Sequence, residues 1–201
     1  YKALVERVAR AEQERAPGLH GFAEAVARYH FKLLAYKDEY EVARLYSSPA
    51  FLKQIADTFE GDIKLHLNLA PPLFAKKDAD GHLIKQEYGA WALPAIKTLR
   101  HLKFLRGTAL DVFGKTEERH TERALIAEYT SCIDELLKTL SAANVAQAAE
   151  IARIPEEIRG YGHVKSRHLA AARGKWGGLM QQWRAGSAAV ASPLSTAKAA
   201  A

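Results

Sequence analysis

The sequence predicts a mainly α fold with a small antiparallel β-hairpin or sheet inserted around residues 62–88, and three observations carry that expectation. Apolar residues recur at steps of three and four over most of the chain, the step shortens to two between Asp62 and Leu69, and an Asp80-Gly81 pair lies shortly after. The step identifies the element because a helix returns to one face every 3.6 residues and a strand every second residue.

In chain order, Leu4, Val5, Val8 and Ala11 mark a first helix that stops before Pro17-Gly18. Phe22, Val26, Tyr29, Leu33 and Leu34 share one face of a second, and the pattern continues through Tyr40, Val42 and Tyr46 as one long helix. Ser48 before Pro49 reads as an N-cap with proline at the first helical position, opening a short helix through Phe51, Leu52 and Ile55. Ile63, Leu65, Leu67 and Leu69 then alternate with Asp62, Lys64, His66 and Asn68, as in a strand with one buried face, and Pro71-Pro72 ends it. Residues 73–77 and 82–88 flank Asp78-Ala79-Asp80-Gly81, where Asp-Gly supplies the positive φ of a tight hairpin turn. Helical periodicity resumes near Trp91, with Pro94 in the first turn, and runs to Arg106-Gly107.

Leu125, Tyr129, Cys132, Ile133, Leu136, Leu137 and Leu140 give the strongest periodic signal. Glu117 and Glu118 at its start and Lys138 near its end complement the helix dipole. An alanine-rich helix from about Asn144 to Ile154 is stopped by Pro155, and a last helical stretch runs from Val164 toward Trp183. Residues from Gly186 onward are small and give a core nothing to bury. The expected organisation is one helical domain over 1–172 and a basic, small-residue, partly flexible C-terminal segment over 173–201.

Composition narrows the class. Hydrophobic residues make up 48% and charged residues 26% of 201, enough apolar surface for a core and too much for a disordered chain. The one cysteine, Cys132, forms no disulfide within the chain, which favours the reducing cytoplasm. The chain starts at Tyr1 with a charged amphipathic segment, which reads as a fragment of a larger protein or a processed chain. No run approaches the roughly 18 apolar residues of a membrane span, so no membrane partner is expected. The net charge of +6 is unevenly distributed: residues 1–157 hold 22 Lys+Arg against 23 Asp+Glu, and residues 158–201 hold 7 against none.

No catalytic, cofactor-binding or metal-ligating residue is expected. Gly114-Lys115-Thr116 resembles the end of a phosphate-binding loop, but the position that should carry the first glycine is Ala109, so a glycine turn with a threonine cap is the better account. The eight histidines include no pair at ligand spacing on one helix face backed by carboxylates, and His30 on an apolar face reads as a core residue. A single cysteine rules out a cluster held by four thiolates, and neither a nucleophile elbow nor a dinucleotide-binding glycine motif occurs. Lys97, Arg100, Lys103 and Arg106 spread over about half a helix circumference and read as a solvated face.

Two stretches are candidate contact surfaces. At residues 155–165, Gly160 and Gly162 bracket Tyr161 between Arg159, His163 and Lys165. At least one glycine is expected at positive φ, with the tyrosine either displayed as in a binding loop or folded inward at a helix corner. Trp176 and Trp183, seven apart beside Lys175 and Arg184, form an apolar stripe. Its cover is this domain's own core, another part of a larger assembly, or nucleic acid, and Gly174, Gly177 and Gly178 favour a segment ordered by its partner, so the fold is expected to survive its deletion.

The blocks AYKDEYEVARLY (35–46), FEGDIKLHLNLAPPL (59–73), RGTALDVFGKTEERHTERALIAEY (106–129) and PEEIRGYGHVK (155–165) resemble the C-terminal region of the long bacterial fused-chain indolepyruvate ferredoxin oxidoreductases, of the 2-oxoacid:ferredoxin oxidoreductase family. The resemblance spans nearly all of residues 1–172. It implies a cytoplasmic parent enzyme that uses thiamine diphosphate, coenzyme A and iron-sulfur clusters to decarboxylate indolepyruvate or another aryl pyruvate to its acyl-CoA, with ferredoxin as redox partner. It transfers no catalytic residue, because thiamine and cluster ligands lie in earlier regions of such chains. The chain is then expected to be a non-catalytic accessory domain without a cofactor of its own. Its partners would be the rest of the parent chain and, as a further candidate, a second subunit. The alternative is a stand-alone helical module that binds an acidic protein or nucleic acid through its basic end, and nucleic acid is the less favoured.

Overall fold

The computed structural model describes residues 1–69 and 84–191, with backbone only over 187–191. The chain is mainly α with a small two-stranded antiparallel sheet, as expected, and divides into two compact units. The first combines Tyr1–Ala35 with the chain from Glu122 onward, and the second is Tyr36–Thr121.

The first unit holds α1 (Lys2–Arg15), α2 (Phe22–Leu34), most of α6 (Glu117–Thr139), α7 (Val145–Arg153) and α8 (Gly162–Ala191). Val8, Phe22, Val26, Leu125, Tyr129, Ile133, Leu136 and Ile151 are buried together in its core. The first two helices are joined by a cap that crosses between them. Gly21 leads into α2 at φ 120° and offers no side chain to the free N–H groups of the first turn. The buried Glu12 carboxylate of α1 accepts from Phe22 N–H at 2.7 Å and Ala23 N–H at 3.3 Å, as an N-cap residue would. Tyr129 closes the other side, its hydroxyl donating to Ala152 C=O of α7 at 3.0 Å.

The expected long helix from Phe22 to Tyr46 is broken: α2 ends at Leu34, and the second unit opens with a separate α3 (Glu39–Tyr46). Asp38, in extended conformation, accepts from Tyr40 N–H at 3.2 Å and so caps a new helix where the apolar period alone ran on. α4 (Pro49–Thr58) starts as the sequence predicts, with Ser48 Oγ accepting from Phe51 N–H at 3.2 Å. Leu65, Leu67 and Leu69 are half-buried and alternate with exposed His66 and Asn68, but the ladder is shorter than expected. β1 (Leu67–Leu69) pairs with β2 (Gln86–Tyr88) in the register Leu67↔Tyr88, and Ile63 is exposed outside it. The strand partner of residues 86–88 is thus 67–69; the expected turn at 78–81 lies outside the described residues. The stretch after Trp91 is not one helix but α5 (Leu93–Leu99) between the 3-10 turns Ala90–Ala92 and Arg100–Leu105.

The boundary expected at 172/173 falls inside α8, which is continuous from Gly162 to Ala191. Leu169, Ala172, Trp176, Met180 and Trp183 are buried along one stripe with steps of three and four, which holds the helix together through Gly174, Gly177 and Gly178. A glycine within a helix costs about 1 kcal/mol relative to alanine, and burying one tryptophan returns more than that.

Candidate contact surfaces

The corner between α7 and α8 is built from α2 as well as from its own sequence. Pro155 is buried in a 3-10 turn (Ile154–Glu157), and Ile158, which follows the turn, is buried as well. Lys32 Nζ donates to the carbonyls of Pro155 (2.8 Å) and Glu156 (3.0 Å), and Tyr29 Oη donates to Glu156 Oε2 at 2.6 Å. Burial and neighbouring cations hold the Lys32 ammonium below its usual range, in that order of cause. The chain then reverses at Gly160 (φ 87°) and Gly162 (φ 56°), both in the left-handed region, which matches the conformation expected of them. Tyr161 between them is 72% exposed, so of the two alternatives the ring is displayed, not folded inward.

Arg159 and His163 are exposed beside the ring, with Arg159 NH2 3.8 Å from Glu156 Oε1 and the Arg159 carbonyl 2.8 Å from His168 Nδ1. Lys165 does not flank the surface. Its ammonium pairs with Glu122, whose side chain is almost fully buried, so it is part of the packing between α8 and α6. A β-carbon at position 160 would sit 2.9 Å from Val164 Cγ1. Gly160→Ala is therefore expected to destabilise the chain by about 1–2 kcal/mol, through positive φ and that clash together, in urea denaturation followed by circular dichroism. Gly162→Ala, with open space around it, is expected to lose about 1 kcal/mol through φ alone.

Trp176 and Trp183 are not contact residues. They are 8% and 2% exposed and belong to the first unit's core. Trp176 Nε1 donates to Cys132 Sγ at 3.2 Å and its ring meets Tyr129 edge-on at a centroid distance of 6.1 Å. The indoles are covered from within because α6 offers a matching apolar stripe, so neither another subunit nor nucleic acid is needed to shield them. Outside this packing lies a shallow groove of about 510 Å³, lined by Glu128, Glu135, Arg173, Gly177 and Arg184 with Cys132 at its floor. Burial pushes the Cys132 thiol up to about 11, which leaves it protonated and weakly nucleophilic at neutral pH.

The basic character of residues 158–201 is largely neutralised where it stands. Arg173 meets Glu128 (2.7 Å), Lys175 meets Glu157 (2.6 Å) and Arg184 meets Glu135 (2.7 Å), besides the Lys165 and Arg159 pairs. Five of the seven cations in that stretch are thus spent on the unit's own carboxylates. Exposed pairs add little stability, but they leave few charges for a phosphate backbone.

In the second unit, the Gly114-Lys115-Thr116 segment is a turn and cap, as expected. Thr116 Oγ1 accepts from Arg119 N–H at 3.3 Å to start α6. The organiser of this turn is a residue that sequence reasoning missed. Asp111 is 4% exposed and accepts from Gly107 N–H (2.8 Å), Gly114 N–H (3.0 Å) and Tyr40 Oη–H (3.2 Å), drawing both ends of the loop onto one carboxylate. Its signal was present: an acid between Leu110 and Val112, with a glycine four residues before and another three after. No group of three or more His, Cys, Asp or Glu side chains among the described residues is arranged to hold a metal ion.

The family described as "Family of unknown function (DUF6537)" matches residues 1–178. The chain belongs to that family. The match covers both units and ends within α8, so the buried stripe up to Ala172 and Trp176 is family sequence. No curated protein and no solved structure matches the chain.

Proposed function

We propose that the chain is a non-catalytic accessory domain of a cytoplasmic thiamine-diphosphate-dependent 2-oxoacid:ferredoxin oxidoreductase, with indolepyruvate or another aryl pyruvate as substrate, and that it acts through contacts with the rest of its parent. The resemblance of the four sequence blocks supplies the parent. The observation that supports a contact role is the inverted distribution of apolar side chains in the second unit. Among its described residues Tyr40, Ala43, Ala92 and Ile96 are the buried hydrophobics, whereas Trp91, Phe104 and Leu110 are 72%, 71% and 69% exposed, and Phe59 is 59% exposed. Large apolar side chains displayed in such number mark surfaces that a partner covers.

The test is to purify the native polypeptide anaerobically through a chromosomally encoded tag. It is expected to be much longer than these 201 residues and to reduce a viologen dye when given indolepyruvate and coenzyme A. The isolated chain, after anaerobic iron-sulfide treatment, is expected to bind no stoichiometric cluster, because a cluster needs several thiolates and it has one buried thiol. A native polypeptide no longer than this chain, or a cluster on the isolated domain, would overturn the proposal.

A further inference from the structure

Residues 104–115 have an inside-out distribution. The carboxylate of Asp111 is buried, while the apolar side chains around it, Phe104, Leu110 and Val112, are 71%, 69% and 43% exposed. A free chain would do the reverse, since desolvating a carboxylate costs energy and exposing leucine returns none. The loop is held this way by bonds that have no use for the displayed side chains. Asp111 ties Gly107 to Gly114, Tyr40 donates to Asp111 and meets the Phe113 ring edge-on at 5.3 Å, and Thr108 N–H bonds to Leu105 C=O at 2.9 Å. Gly114 leaves room for the carboxylate, since a β-carbon there would clash with Asp111 Oδ2 and push it off its donors.

The charge carried by residues 97–116 is mostly positive, although Asp38, which caps α3, and Glu41 within it stand near Arg106 and Lys103, and Glu117 and Glu118 follow directly in sequence. Lys97, Arg100, Lys103, Arg106 and Lys115 are the cations of residues 97–116, and the sole carboxylate is the buried Asp111. Arg106 is paired with Asp38 and Arg100 reaches the Ser47 carbonyl, whereas Lys103 and Lys115 are exposed.

We propose that residues 104–115 are a preformed docking knob whose partner is a protein surface bearing an apolar pocket rimmed by carboxylates. The internal bonds hold the knob in shape before binding, which lowers the ordering cost of association, and the lysines select an acidic rim. Phe104 and the lysines would also suit a nucleic acid, but the aliphatic Leu110 and Val112, which neither stack on bases nor donate to phosphate, are used only by an apolar protein pocket. A short loop also lacks the continuous apolar helix face with which a protein lies on a membrane. The inference rests on the reading that the chain works through protein contacts but is judged separately, since that reading is decided by polypeptide length and dye reduction.

The test places a photoreactive benzophenone amino acid at Leu110 in the full-length native protein in its own cells, with Gln13, exposed on α1, as control. Irradiation is expected to give adducts from Leu110 to protein segments richer in Asp and Glu than in Lys and Arg, within the parent chain or in another subunit. Their yield is expected to fall about fivefold or more in the double variant Lys103→Glu/Lys115→Glu. Adducts confined to nucleic acid or lipid, a yield indifferent to charge reversal, or no protein adduct above the Gln13 control would each overturn the proposal. Leu110→Ala/Val112→Ala removes the knob without touching Asp111, and is expected to abolish partner binding while leaving the melting temperature unchanged.

Discussion

Trp183→Ala is expected to destabilise the first unit by about 3–5 kcal/mol, the range for removing a large aromatic side chain from a packed core. The indole is 2% exposed and lies at the far end of the buried stripe Leu169, Ala172, Trp176, Met180 and Trp183. Trp176→Ala is expected to cost less, because that ring borders the groove over Cys132 and solvent can enter there. Truncation before Gly174 removes Trp176, Met180 and Trp183 together and is expected to unfold the unit, since a loss of that size approaches the whole stability of a small domain. Urea denaturation of the truncated and substituted chains measures all three. A variant within about 1 kcal/mol of the parent chain would show that the core closes without these indoles.

The tryptophans also show how much of the fold was legible. Period, caps and breakers located the helices because those signals are local. Ser48-Pro49 opens α4, Thr116 caps α6, and Gly160 and Gly162 take the positive φ that their place between two helices suggested. What was not legible depended on partners distant in sequence. The glycines of α8 argued for a segment without intrinsic order, and the stripe that orders it is completed by Tyr129 and Cys132 on α6, more than forty residues away. The charge imbalance of the C-terminal stretch likewise looked like a binding surface until the opposing glutamates were placed beside it. In the other direction, Asp38 broke a helix that the apolar pattern had continued, because one capping carboxylate outweighs the periodicity of a short linker. Of the candidate site, the sequence left Tyr161 open between displayed and folded inward, and the structure displays it, whereas nothing local in the sequence marked Leu110 and Val112 as exposed.

Asp111→Ala is expected to be the most damaging single change in the second unit. It removes the acceptor of the buried Tyr40 hydroxyl, which costs about 1–3 kcal/mol, and of the Gly107 and Gly114 N–H groups, which are less buried and add a smaller loss. Asp111→Asn is expected to fall between the two, because an amide offers one acceptor oxygen where three donors converge and turns a donor of its own toward them.

The pH dependence of the same carboxyl gives an independent measurement. Burial acts to raise its pKa, but the bonds from Gly107, Gly114, Tyr40 and the Phe113 backbone outweigh burial and hold it below the usual aspartate value. A carboxyl with a lowered folded-state pKa stabilises the fold above its unfolded value, about 3.9, and loses that contribution as pH falls through the folded value. Amide hydrogen exchange over residues 106–116 is therefore expected to stay slow from neutral pH down to about 4, after correction for the intrinsic pH dependence of exchange, and to accelerate below it. In Asp111→Asn the acid step should vanish while exchange is faster throughout. If the acid step persists in that variant, some other carboxyl holds the loop, and the buried aspartate is not what keeps Leu110 and Val112 facing outward.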